Sequence, residues 1–220
     1  MQRNLNESRI LIVGGLGVLG SAIAANLETR GARVVRTSRK AGAVLTGDLR
    51  DRTFPATVMR DARALLGALD GVIVAAGVVA FGPLTAMSDA TLDELMEVNV
   101  LGPIRLMREF AAAQESGFFV NISGVVAETP FPGLSAYGAS KAALSTATRA
   151  FALEMRRKGL TVIDARPPHT ETGLATRAIA GNAPTLPKGL APEHVAERIV
   201  QAIESDEREI PARAFSPQAE

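Results

Sequence analysis

The chain has 220 residues, 47% hydrophobic and 21% charged, a globular composition with ample apolar material for one buried core. Lys and Arg total 24 against 23 Asp and Glu, and a net charge of +1 points to neither a nucleic-acid nor an anionic-membrane partner. There is no cysteine, which excludes disulfides, Cys-based zinc sites and Cys nucleophiles, and the two histidines, His169 and His194, lie too far apart in sequence to suggest a metal site. With no Trp and a single tyrosine, Tyr137, a base-stacking surface is not expected either. The apolar run Ile10–Val13 is too short for a signal core or a membrane span, so a soluble cytoplasmic protein is expected.

Short apolar runs alternate with longer stretches of helical period. Ile10–Val13 reads as a buried strand, followed by a helix over Leu19–Arg30 that Gly31 stops. Ala32–Thr37 reads as a second strand, and a short third one precedes Gly47. A helix over Phe54–Leu69 leads into a strand over Val72–Ala76, and a helical stretch over Asp89–Ala113 leads into Phe118–Ser123. An Ala-rich helix over Ala136–Lys158 precedes the strand Leu160–Ala165, and Pro192 opens a last helix that runs to Ser205. Repeated strand–helix units with nearly continuous apolar strands predict an α/β fold: a Rossmann-like doubly wound parallel sheet with helices on both faces, in one domain over residues 1–220. Residues 167–191 are rich in proline and have no period. They follow a strand's C-terminal end, where open α/β sheets bind ligands, and read as a substrate loop, with a plain surface connection as the alternative.

Gly14, Gly17 and Gly20 stand in a turn between the first strand and the first helix. Glycine there permits positive φ and close approach of a phosphate, and the helix N-terminus offers unpaired N–H groups to a pyrophosphate. A fold of this kind that prefers NAD carries an acid at the end of its second strand. Here the chain reads Arg36-Thr-Ser-Arg-Lys40, with no carboxylate. Arg39 and Ser38 suit a 2′-phosphate, so NADP(H) is expected over NAD(H). Asp48 is placed either to accept from the adenine amino group or to cap the following segment.

Tyr137 and Lys141 are spaced i, i+4 and so share one face of a helix. An ammonium near a phenol favours the phenolate, by up to about 4 kcal/mol at 4 Å in an effective dielectric of 20. These residues, with the glycine turn, Gly47-Asp-Leu49, Asn99 in Glu97-Val-Asn-Val-Leu-Gly102, and Pro167 with Thr172, resemble the short-chain dehydrogenase/reductase family over roughly residues 8–205. The resemblance implies an oxidoreductase that moves a hydride between nicotinamide and a carbonyl or secondary alcohol. Tyr137 would be the general acid or base. Lys141 would bind the nicotinamide ribose and lower the Tyr137 pKa. Asn99 would kink its helix and hold a water of the proton relay. It further implies dinucleotide contacts at Gly14, Gly17, Leu19, Gly20, Ser38, Arg39, Asp48, Leu49, Ala76, Gly77, Tyr137, Lys141, Pro167, Thr170 and Thr172, no metal, and a homodimer or homotetramer built on the long helices.

The sequence departs from the family pattern in four places. The glycines are spaced as in the family's extended and atypical branches, Ala75 stands for the usual asparagine, and Pro168 replaces a glycine. The position of the catalytic serine, thirteen residues before the tyrosine, is Gly124. Ser123 is adjacent: in a regular strand it faces away from the site, whereas a bulge at Gly124 turns it inward as a catalytic hydroxyl. Ser135 and Thr129 are the other hydroxyls nearby. Loss of this donor motivates a second reading, a dinucleotide-binding sensor with little turnover. A third, an epimerase or dehydratase, draws on the glycine spacing but lacks the extra C-terminal length.

Overall fold

The computed structural model describes residues 3–40 and 42–216. Strands β1 (Arg9–Val13), β2 (Arg33–Ser38), β3 (Leu45–Thr46), β4 (Gly71–Val74), β5 (Gly117–Ile122), β6 (Leu160–Ala165) and β7 (Glu209–Ile210) form one sheet in the order β3-β2-β1-β4-β5-β6-β7. Every pairing is parallel. The chain starts at β1, builds outward to β3, then crosses back to β4 and builds the other half. The strand ends on either side of that reversal enclose a crevice.

Alternation along the strands divides the core in two. Leu11 and Val13 of β1 face helices α2 (Phe54–Leu66), α4 (Gly102–Ala112) and α5 (Ser135–Glu154), against Val58, Met59, Leu106, Phe110 and Ala152. Ile10 and Ile12 face helices α1 (Val18–Thr29) and α6 (Pro192–Glu204), against Ile23, Leu27, Ile199 and Ile203. Each face is apolar and buried, as a parallel sheet covered on both sides requires.

The boundaries follow local chemistry. Pro55 occupies the first turn of α2, and Gly67 ends that helix in the left-handed region, three residues earlier than the apolar pattern extends. Ser88 caps α3 (Asp89–Met96) by accepting from the Thr91 amide. The expected continuous helix over Asp89–Ala113 is interrupted: α3 and α4 are joined by a π-turn at Glu97–Leu101. Strand β5 stops at Ile122, so Ser123 lies just beyond it, and β7 is a two-residue strand too short to show in a hydropathy pattern. The Ala-rich helix gives way to a 3₁₀ turn at Met155–Lys158. Among the described residues, no helix is long and apolar enough to cross a membrane.

Where β4 meets β5, Gly71 lies against the Phe118 ring, and a Cβ at that position would penetrate it. Gly71→Ala is therefore expected to destabilise the protein by about 1–3 kcal/mol, the usual cost of an overpacked core. Denaturant unfolding measures it, and an unchanged midpoint would contradict the packing described.

Candidate active site

The loops after β1, β2, β4, β5 and β6 surround one cavity of about 1190 Å³. That exceeds the roughly 300–1,000 Å³ of a pocket for one small ligand. It extends from the glycine turn and the β2 end, past Ala76 and Gly77, to Tyr137, Lys141 and the segment after β6.

At the first end Gly14 adopts φ +82°, and a Cβ there would sit 2.7 Å from the Ala76 amide nitrogen. Only glycine allows β1 and β4 to end so close together. Gly20 is buried and does not border the cavity; a Cβ on it would collide with the Gly14 carbonyl, so it seats α1 against the turn. Helix α1 begins at Val18 with neither a side-chain cap nor an acidic residue in its first turn. Its first N–H groups therefore face the cavity mouth without a competing carboxylate. Ser38, Arg39 and Lys40 border the same end. Arg36 does not: its guanidinium is paired with Glu28 at 2.7 Å. The Ser38 hydroxyl accepts from the Lys40 amide at 3.1 Å. Asp48 accepts from the Arg50 amide and guanidinium at 2.7–3.1 Å, which holds its carboxyl below the usual carboxylate range. Of the two roles expected of Asp48, the local capping one is visible.

The features at this end fit a dinucleotide: a cradle that a side chain would fill, an uncapped helix start, and basic residues at the end of β2. Leu19, Leu49, Ala76, Gly77, Pro167, Thr170 and Thr172 border the cavity as well. Thr170 donates to the Pro168 carbonyl and the Thr172 hydroxyl accepts from the Leu174 amide, so both hydroxyls have partners within their own loop.

At the other end Tyr137 and Lys141 share a face of α5, with Lys141 Nζ 6.0 Å from the Tyr137 ring centroid. Lys141 is buried and donates to the Ile122 carbonyl at 2.8 Å. Desolvation pushes the Tyr137 phenol from 10.0 up to about 12 and the Lys141 ammonium from 10.5 down to about 8, the latter opposed by the charge of Asp164. The expected lowering of the phenol by the ammonium is thus absent from the protein alone, because loss of water outweighs the attraction at this separation.

Asn99 lies in the π-turn and is buried. Its Oδ1 accepts from the Val78 amide at 2.9 Å, while Nδ2 donates to the Val78 carbonyl at 2.9 Å and the Ser140 hydroxyl at 3.0 Å. The side chain therefore clamps the chain beyond β4 to α5, and the π-turn supplies the helix interruption expected of it. A Cβ on Gly77 would lie 3.2 Å from Asn99 Oδ1 and 3.5 Å from Lys141 Nζ, so glycine lets these two groups meet.

Ser123 requires a correction. It borders the cavity, but it is fully buried and its hydroxyl donates to Asp164 Oδ1 at 2.5 Å. The Ser123 and Gly124 amides both donate to the Ala165 carbonyl, and Gly124 then turns the chain at φ +88°. The irregularity at Gly124 leaves Ser123 directed at β6, so its hydroxyl is not offered to the cavity. Ser135 and Thr129 do not border the cavity.

The segment after β6 is more ordered than an aperiodic sequence implies. Its Ile179 amide donates to the Val79 carbonyl, and its Ala180 carbonyl accepts from the Phe81 amide. Farther along, the Leu190 amide and carbonyl pair with His169 and Glu171. Val79, Phe81, Leu174, Ile179 and Leu186 give this part of the cavity an apolar wall.

The residues that sequence reasoning passed over are Asp164 and Arg166. Both are buried at the end of β6, and the signal was available as two charges spaced i, i+2 at the end of an apolar strand. Among the described residues, no group of three or more His, Cys, Asp or Glu is placed to hold a metal ion.

Comparison with known proteins identifies the family. Residues 8–182 match the family model for short chain dehydrogenases, and the chain belongs to that family of dinucleotide-binding oxidoreductases that act on small molecules. It is 31% identical over 189 residues to nodulation protein G of Rhizobium sp. (strain N33), covering 79% of this chain and 77% of that protein. It is 26% identical to 2-(S)-hydroxypropyl-CoM dehydrogenase 3 of Xanthobacter autotrophicus, covering 98% and 97%. Its fold superposes with a TM-score of 0.83 on a short chain dehydrogenase from Burkholderia cenocepacia J2315 in complex with NADP, at 24% identity, covering 96% and 91%.

The buried Lys141 has a measurable consequence. Its pKa falls from 10.5 unfolded to about 8 folded, so between pH 8 and 10.5 the unfolded chain holds a proton that the folded protein has released. Folding therefore gains stability as pH rises through that window. The Lys141→Met variant lacks this gain. Its Tm relative to the wild type is expected to fall between pH 7.5 and pH 10, and a constant difference in thermal unfolding would refute the burial of a titrating ammonium.

Proposed function

We propose that the protein is an NADP(H)-dependent reductase or dehydrogenase of a small or medium carbonyl or secondary alcohol, with Tyr137 as its general acid or base. The observation that carries this reading is that Tyr137 and Lys141 open into the same cavity as the uncapped start of α1. Gly14, Gly17 and the first turn of α1 would hold the pyrophosphate, and Arg39 with Ser38 the 2′-phosphate. A guanidinium matches a phosphate in charge and geometry, and no acid stands at the β2 end to accept a ribose 2′-hydroxyl. When bound, the dinucleotide supplies the hydride in reduction and takes it up in oxidation.

The chain's own residues handle the proton. With its pKa near 12, the Tyr137 phenol is protonated throughout the neutral range and can donate to a carbonyl oxygen as charge develops there. Lys141, an ammonium below about pH 8, stabilises the phenolate left behind and offers its remaining N–H groups to the ribose. Asn99 holds the chain beyond β4 against α5, which sets the position of Gly77 beside Lys141. The segment 167–191 is the substrate loop, and its apolar wall favours a substrate with an aliphatic or aromatic body. Gly124 supports the second reading, a dinucleotide-binding sensor, because no side-chain hydroxyl stands at that position to polarise a substrate oxygen.

Calorimetric titration is expected to give tighter binding of NADPH than of NADH, and Arg39→Ala to remove most of the difference. Tighter NADH binding would overturn the phosphate assignment. Tyr137→Phe is expected to abolish NADPH oxidation in a carbonyl screen while keeping NADPH affinity within a few fold; turnover surviving in that variant would sink the mechanism, and nucleotide binding with no turnover in the wild type would favour the sensor.

A further inference from the structure

Behind the catalytic pair lies a charged cluster that the proposed chemistry does not itself use. Asp164 on β6 has no solvent exposure, yet three donors converge on its carboxylate. Ser123 donates to Oδ1 at 2.5 Å, and Ser145 and Arg166 donate to Oδ2 at 2.6 and 2.5 Å. These donors come from the chain just past β5, from α5 and from the end of β6. Arg166 also donates to Glu128 and, at 2.9 Å, to Glu209, which in turn accepts from Arg149 at 3.1 Å.

The cluster holds three carboxylates, Asp164, Glu128 and Glu209, and two guanidiniums, Arg166 and Arg149. It is one negative charge over, and Lys141 is the other buried cation among the described residues. Ser123 follows Ile122, whose carbonyl accepts from Lys141 Nζ, and Ser145 lies one turn along α5 from Lys141. Asp164 is thus tied to the chain on both sides of the ammonium.

We propose that Asp164 is the positioning residue of the Tyr137–Lys141 pair: its buried carboxylate holds the end of β5 and the Lys141 turn of α5 in register and supplies the counter-charge that keeps Lys141 an ammonium in a dry site. The inference rests on the reading of Tyr137 and Lys141 as the catalytic pair. The groups around Lys141 are Tyr137 from its own helix, Asn99 from the π-turn, the Gly77 backbone after β4 and the Ile122 carbonyl of β5, and the Asp164 carboxylate on β6 acts on it through its charge. Of these only Tyr137 and Asp164 are ionisable side chains, and Tyr137 is neutral through the working range, so the counter-charge falls to Asp164. Burial without it would drive the ammonium to shed its proton at lower pH. The same network accounts for Ser123: its hydroxyl serves the carboxylate instead of the substrate.

The test uses the full chain with no nucleotide or substrate. The sequence has four lysines, so protein labelled with ¹³C at lysine Cε gives at most four signals to follow by NMR through a pH titration. The Lys141 signal is the one missing from Lys141→Met. In the wild type its midpoint is expected near pH 8. In Asp164→Asn it is expected lower by about one pH unit or more, the usual effect of removing a close opposite charge. The alkaline limb of kcat/KM for carbonyl reduction is expected to move by the same amount, which a merely structural role would not produce. Glu209→Gln, on a half-exposed side chain, removes one charge from the cluster's rim and is expected to move the midpoint in the same direction by less. That variant keeps the test open if Asp164→Asn does not fold. An unmoved midpoint in whichever of these variants folds overturns the proposal. Failure of the reductase reading would instead appear as absent nucleotide binding while the Lys141 midpoint still falls in these variants.

Discussion

A parallel sheet sends the C-terminal ends of all its strands to one edge, and this protein concentrates its chemistry there. The glycine turn follows β1, the basic residues close β2, Ala76 and Gly77 follow β4, Gly124 follows β5, and the long proline-bearing segment follows β6. Reversal of strand order between β1 and β4 keeps the loops on its two sides from covering each other, which leaves the crevice open. The two aliphatic layers determine where these loops start, and the loops carry the polar groups that bind and react. Close contact between the first two loops is possible only because Gly14 has no side chain to put against Ala76.

The energetic logic at the catalytic end differs from that of the core. Lys141 is held in a site that penalises its charge, and Asp164 and Arg166 carry further charges into the same layer. Buried charges contribute little net stability, and removing one partner from such a set is costly because the other is stranded. The arrangement holds a buried ammonium beside a phenol at the cavity wall. The ammonium is tied to the Ile122 carbonyl, and the buried Asp164 carboxylate opposes the loss of its charge. The desolvation that lowers the Lys141 ammonium also raises the Tyr137 phenol.

Absence of a hydroxyl at Gly124 belongs to the same picture. Gly124 turns the chain at a positive φ that a side chain would strain, and Ser123 points into the Asp164 network. Neither position therefore offers a side-chain hydroxyl to the cavity.

Sequence by itself determined the alternation of strands and helices, the parallel sheet, the glycine turn, the basic end of β2 and the Tyr137–Lys141 face, because each of these is a local pattern of period, turn chemistry or i, i+4 spacing. It also located Asn99 and the segment from 167 to 191. Tertiary structure alone decided what those residues touch. The π-turn that divides the helix at Glu97–Leu101 accompanies the Asn99 bonds to Val78 and Ser140, partners 21 and 41 residues away. The fate of Ser123 depends on a carboxylate 41 residues distant, and Arg36 leaves the nucleotide end because Glu28 lies across from it. The Tyr137 phenol rises where pairwise attraction to Lys141 predicts a fall, because burial, which a local spacing cannot report, outweighs that attraction. Local periodicity encodes which face a residue takes, whereas partners, burial and pKa arise from contacts between segments far apart in the chain, and those exist only once the sheet has assembled.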